Sequence, residues 1–180
     1  MTVDQHFQDW LRVKKASVRE SSYSNYECLC KTHIAPALGH VLLKNLDYRK
    51  INAFYEQLDS KGLSRRTVAY VAYLLRSSLN DAVKKDLIPA NPAQLAAQRT
   101  YKTAEARCLQ PDEVKRFLEA ARGERLEDAF VLALHTGLRP GEWLGLPWDN
   151  VDMKNKTLTV GQSLNQVNGS MKLGAPKTNA

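Results

Sequence analysis

The chain has 180 residues, a hydrophobic fraction of 43% and a net charge of +7, which fits one or two small globular domains. It holds no apolar run of about 18 residues that could cross a bilayer as a helix, and Met1 to His6 lack the basic-then-apolar order of a secretion signal. The three cysteines, Cys28, Cys30 and Cys108, are odd in number and poorly spaced for a disulfide framework or a metal site, so the reading is a cytoplasmic protein with free, partly buried thiols and no membrane partner.

In chain order, Thr2 can cap a first helix with Val3, Phe7, Trp10 and Leu11 on one face. Ser21 or Ser22 opens a second, carrying Tyr23, Tyr26, Leu29, Cys30 and His33, and Pro36 and Gly39 are expected to break the chain. Asp47 can cap a third helix, with Ile51, Phe54, Tyr55 and Leu58 inward and Gly62 at its end. Ser64 caps the longest, where Val68, Val71, Ala72, Leu75, Leu79, Ala82 and Val83 follow helical spacing. Pro89 and Pro92 stop it.

Residues 98–107 are polar and aperiodic, which predicts a linker between a helical unit over 1–97 and a second unit over 108–180. The charge divides there too. Residues 1–107 hold 17 Lys and Arg against 10 Asp and Glu, whereas residues 108–180 hold nine of each. A basic first half suits a polyanion partner, nucleic acid above all; a solvated surface is the plain alternative. Past the linker, Gln110-Pro111-Asp112-Glu113 opens a helix and Leu126–Leu134 forms another, ended by Gly137. Thr157–Val160 reads as a strand, and Asn165–Ser170 as a hairpin turn.

Residues 136–142, Thr-Gly-Leu-Arg-Pro-Gly-Glu, carry the most chemistry. Glycine lets backbone approach a ligand closely, a helix start favours anions, and the Arg139 fork matches two phosphate oxygens. The bland reading of the same residues is a helical corner whose arginine pairs with a structural acid. Downstream, Leu144-Gly145-Leu146-Pro147-Trp148-Asp149-Asn150-Val151-Asp152 completes a string that resembles the first catalytic box of the tyrosine recombinases, the phage-integrase family. The first half resembles that family's core-binding domain through Ser24-Asn25-Tyr26-Glu27, His33–Gly39, Lys61–Val68, Leu79–Val83 and Asn91-Pro92.

The resemblance implies a mainly α fold: a four-helix SAM-like core-binding domain, then an incomplete α+β catalytic domain with a small antiparallel sheet. It implies double-stranded DNA as partner and strand exchange through a 3′-phosphotyrosyl link, which needs no cofactor, neither ATP nor metal. Arg139 matches the first catalytic arginine, and Glu142 the acid that supports the site. Lys177 matches the general-acid lysine, with Lys172 as a weaker alternative. Arg65, Arg66, Tyr70, Tyr73 and Arg76 leave the apolar stripe of the longest helix and suit contact with a DNA backbone. Trp143 and Trp148 read as core packing.

The chain departs from the family pattern in two respects. All seven tyrosines precede Arg139, and no histidine is followed by arginine at the third position. The expectation is therefore the DNA-binding portion of a site-specific recombinase that does not cleave by itself, the alternative being a non-catalytic DNA-binding module or regulator that occupies recombination sites. Intact relatives form tetramers on DNA; this chain is expected to be monomeric off DNA.

Overall fold

A computed structural model describes residues 1–101, 103, 105–167 and 169–176. They fall into two compact units, Met1–Thr103 and Ala104–Ala180. The fold is mainly helical with small antiparallel pairings.

The first unit is built on five α-helices: α1 (Val3–Ser17), α2 (Glu20–Leu29), α3 (Ala35–Leu38), α4 (Tyr48–Ser60) and α5 (Arg65–Lys84). Their starts follow from local chemistry. Thr2 and Gln5 form a reciprocal capping box, Asp47 accepts from the Lys50 N–H, and Ser64 accepts from the Thr67 N–H at 3.1 Å; each satisfies a donor the helix start would leave unpaired. The second helix begins at Glu20, ahead of the expected serines, after an Arg19 that supplies no side-chain cap.

Pro36 does not break the chain as expected. A π-helical turn, Cys30–Ile34, carries α2 into α3, with the Ala35 N–H donating to the Cys30 carbonyl. Pro36 then falls in the first turn of α3, directly after the wider π turn, and the helix runs on through it. The helix ends at Gly39, as the sequence implies.

α5 is the spine of this unit. Val68, Val71, Leu74, Leu75, Leu79 and Ala82 are almost wholly buried among side chains of α1 and α4, including Phe7, Trp10, Ile51, Phe54 and Leu58. A polar seam ties α1 to it. The buried His6 Nε2–H donates to the Ser78 carbonyl at 2.9 Å, and the Trp10 indole N–H donates to Asp81 Oδ2 at 2.8 Å. Beyond α5, Asn91 bonds the Arg76 carbonyl and Asn80, pinning the 3-10 turn Pro92–Gln94 against the helix.

Of the cysteines, Cys30 is buried, which pushes its thiol up to about 12. Cys28 and Cys108 are exposed rather than partly buried, since Cys28 lies on the outer face of α2 and Cys108 just ahead of the next helix.

The second unit holds α6 (Pro111–Ala120), α7 (Glu127–Thr136), α8 (Pro140–Leu144) and two hairpins, β1 (Val151–Asp152) with β2 (Thr157–Leu158), and β3 (Ser163–Val167) with β4 (Ser170–Gly174). The strand expected over Thr157–Val160 is only two residues long, because Thr159 already turns its N–H to the Asn150 carbonyl. The hairpin turn is tighter than Asn165–Ser170: Asn165 to Val167 belong to β3 and Ser170 opens β4, with Gly169 at φ 79. That positive φ suits a short connection.

Among the described residues of this unit the buried apolar side chains are Ala121 and Val167. α6 meets α7 through an edge-on contact of Phe117 and Phe130, their centroids 5.2 Å apart. Trp148 is 84% exposed, which overturns its reading as core; it sits in a 3-10 turn at the unit's surface, while Trp143 is half-buried. No described helix is long and apolar enough to cross a membrane.

Leu75→Ala is expected to lower the stability of the helical unit by about 2–5 kcal/mol through lost burial and a residual cavity, read by chemical denaturation. Burial holds the His6 imidazole below its usual value, so the unfolded chain binds the extra proton first. The His6 contribution is then complete above about pH 6.5 and is lost as the pH falls below it; in His6→Gln, that step should vanish from a stability–pH curve. Amide exchange should be slowest in α5 and faster throughout residues 108–176, where burial is sparse.

Candidate nucleic-acid interface

Arg139 stands at the N-cap of α8, and a tight corner delivers it there. Thr136 Oγ donates to the Leu132 carbonyl at 2.6 Å and accepts from the Leu138 N–H at 3.3 Å. Gly137 takes the left-handed conformation at φ 67 while its N–H closes α7 on the Ala133 carbonyl. A side chain at that φ would be strained.

A guanidinium has no acceptor atoms, so Arg139 cannot cap its own helix. Glu142, three residues on, does so instead: one carboxylate oxygen accepts from the Arg139 backbone N–H at 3.0 Å and the other from Nη1 at 2.9 Å. The Glu142 side chain is only 10% exposed, whereas that of Arg139 is 61% exposed. The acid thus holds one edge of the arginine and leaves the rest of its planar fork facing solvent. Those bonds, the backbone N–H first and the guanidinium second, hold the Glu142 carboxyl below the usual carboxylate range. The arginine therefore pairs with a structural acid, as the bland reading expects, and its remaining donors still face solvent. α8 is five residues long, so any anion affinity here rests on the guanidinium and not on a helix dipole.

The β3–β4 hairpin lies beside α8 and carries Lys172, which pairs across the ladder with Asn165. Lys177 lies outside the described residues.

In the helical unit the five assigned side chains divide. Tyr70 and Tyr73, one turn apart on α5, stack with centroids 6.1 Å apart and planes 7° from parallel. Tyr70 also meets Tyr26 of α2, and burial together with Tyr70 raises the Tyr26 phenol above its ordinary value. Arg66 is exposed, with its guanidinium 5.9 Å from the Tyr101 ring; Asn25, Leu29, Thr67 and Tyr70 line the same open groove. Arg65 is exposed over a second groove, beside Asp59 and residues 98–100. Arg76 is half-buried, and its guanidinium donates to the Ala93 carbonyl at 3.2 Å, so it braces the segment after α5.

Sequence reasoning missed that segment's part in the face. The Ala97 N–H donates to Asn52, Arg99 pairs with Asp59 at 3.3 Å and lies over Tyr55, and Tyr101 meets Arg66. Its polar, aperiodic composition gives no sign of these contacts, which come from side chains 35 to 45 residues away along the chain.

Comparison with known proteins bears on both halves. The description "Phage integrase, N-terminal SAM-like domain" matches residues 2–58, and "Phage integrase family" matches residues 107–179. The chain belongs to the phage integrase family.

Among curated phage-integrase relatives, a "Tyrosine recombinase XerC-like" protein of Caldanaerobacter subterraneus is 28% identical over 93% of this chain and 45% of its own length. The ICEBs1 integrase of Bacillus subtilis is 25% identical over 87% of this chain and 43% of its own. The chain thus spans about half the length of the curated relatives it matches. Among solved structures, the Tn1549 transposon integrase in complex with a circular intermediate DNA superposes with a TM-score of 0.81 at 24% identity, covering 99% of this chain and 58% of that one. A lambda integrase dimer bound to a COC′ core site gives 0.73 at 18% identity over 97% and 62%. At these identities the likeness fixes the fold, which is the integrase one. Arg139 and Glu142 lie within the second matched segment, whereas Arg65 to Arg76 lie between the two.

Glu142→Gln removes one charge-assisted bond at each end of the pair, so the Arg139 amide should exchange several-fold faster. In the wild-type chain the protection of that amide, taken against its intrinsic exchange rate at each pH, should likewise fall on acidification. A carboxyl whose folded value is depressed keeps its contribution above the unfolded value of about 4.3 and loses it as the pH falls through the lower folded one.

Proposed function

We propose that this chain is the DNA-binding portion of a site-specific tyrosine recombinase of the integrase kind. The observation that carries the reading is the Arg139 corner: a guanidinium fixed by a nearly buried carboxylate, with the remainder of its donor fork in solvent. A planar fork of donors suits two phosphate oxygens, and a cation so placed would stabilise charge on an attacked phosphodiester. Family membership supports DNA as the partner, as do the DNA complexes in which the structural neighbours were solved.

In this reading Arg139 holds a backbone phosphate and Glu142 orients it. Lys177 protonates the departing 5′-oxygen, and the Arg65, Arg66, Tyr70, Tyr73 and Arg76 face meets the DNA backbone. The DNA-binding helical unit is taken as residues 1–97 and the catalytic unit as 108–180, with 98–107 as the connection, of which residues 98–101 also pack on the helical unit. The chemistry of strand exchange belongs to an attacking tyrosine and needs neither nucleotide nor metal. The 180 residues are proposed to act as a module that binds recombination sites without cutting them, in the cytoplasm and monomeric away from DNA.

Affinity for a labelled duplex should fall steeply with salt, as phosphate contacts release counterions. Arg139→Ala should weaken binding and reduce the slope of log K against log salt by about one, and Arg65→Ala with Arg66→Ala should reduce it further. A nicked suicide duplex should yield no covalent adduct. Affinity indifferent to salt, or a phosphotyrosyl adduct, would refute the respective halves of this reading.

A further inference from the structure

Gly141 and Gly145 lie four residues apart, on one face of α8 and at its C-cap, and β3 is seated against that face. A Cβ built on Gly141 would stand 2.6 Å from the Leu164 carbonyl oxygen and 2.6 Å from Ser163 Oγ. One built on Gly145 would stand 2.8 Å from the Leu164 nitrogen and 3.1 Å from the Ser163 carbonyl carbon. Three of these four neighbours are backbone atoms of β3, which no rotamer change can withdraw. Ser163 is buried in the contact. The Gln162 amide, just ahead of β3, donates to the Gly145 carbonyl at 2.8 Å, so the strand also satisfies an oxygen that the helix end leaves unpaired.

The seat joins the element that carries Arg139 to the hairpin that carries Lys172. α8 carries Arg139 at its cap and the nearly buried Glu142 that holds it. β3 pairs in register with β4, which carries Lys172. Only a surface without side chains allows backbone to approach this closely. Any larger residue at position 141 or 145 must lift the hairpin away from the arginine.

We propose that Gly141, Gly145 and Gln162 are positioning residues: together they form a socket that sets the separation of the β3–β4 hairpin from Arg139, so that cations on both elements reach the same DNA phosphate. The proposal rests on the phosphate reading of Arg139 given above, but the socket's geometry can be tested without DNA.

The test uses the full chain and the variants Gly145→Ala, Gln162→Ala and, as control, Gly161→Ala, whose added Cβ would meet only Asn150 Nδ2 at an ordinary 3.5 Å. In the free proteins, NOEs between Gly145 and Leu164 report the seat, and those between Asn165 and Lys172 report the hairpin itself. Gly145→Ala should lose the first set and keep the second. Gln162→Ala should weaken the first set, and the control should keep both. Should Gly145→Ala unfold the hairpin, Gln162→Ala decides the matter alone. Retention of the seat NOEs in both variants would overturn the proposal.

In duplex binding, Gly145→Ala and Lys172→Ala should each reduce the salt slope by about one, and the double variant should bind no more weakly than the single ones. Multiplying losses would mean that the glycine acts through general destabilisation, which contradicts a positioning role. If the wild-type chain ignores duplex DNA, the functional reading fails, and the NOE arm still decides the socket.

Discussion

The reciprocal bonds between Arg139 and Glu142 are the constraint on which the site depends. A five-residue helix capped by arginine has no side-chain acceptor of its own, and the carboxylate one turn later supplies it. That need explains three sequence features together. Gly137 permits the reversal that brings the chain to the cap, Pro140 takes the first helical position where its missing N–H is harmless, and Glu142 sits at the third. The outcome is an arginine whose backbone is pinned while most of its guanidinium stays open to solvent. A side chain so ordered loses less rotamer freedom on meeting an anion than a free one would.

The two units carry unequal shares of the structure's stability. The helical unit buries a continuous core around α5 and locks α1 to it with two buried or half-buried polar bonds. The second unit holds its corner mainly by local hydrogen bonds and by close backbone packing at glycines, with few buried apolar side chains among those described. Binding chemistry placed on such a unit owes its geometry to short-range devices: a capping pair, a left-handed glycine and a strand seated on a helix. Each is sensitive to a single substitution.

Much of this was legible in the residues. Helical periodicity with Thr2, Asp47 and Ser64 as caps located α1, α4 and α5, because those cues are local and strong. The Arg139 corner was legible as a motif. Its double nature was not, since whether the acid consumes the arginine or merely steadies it depends on exposure. Pro36 misled because a wider π turn, which leaves no sequence mark, directly precedes it and the helix runs on through it. Trp148 misled because a tryptophan in an apolar stretch reads as core whether or not anything covers it. The attachments of residues 97–101 were invisible because Asn52, Asp59 and Arg66 are remote in sequence. Arg65, Arg66, Tyr70 and Tyr73 lie off the buried stripe of α5, as its periodicity implies, whereas the bracing bond of Arg76 to Ala93 depends on where the following turn lands.

The most direct test of the central claim neutralises the DNA one phosphate at a time. A set of duplexes, each carrying a single methylphosphonate, would be titrated with the wild-type chain and with Arg139→Ala. The account requires a position at which charge removal weakens wild-type binding but leaves the variant unaffected. If Arg139→Ala stays as sensitive as wild type at every position, the guanidinium of residue 139 holds no phosphate and the account is wrong.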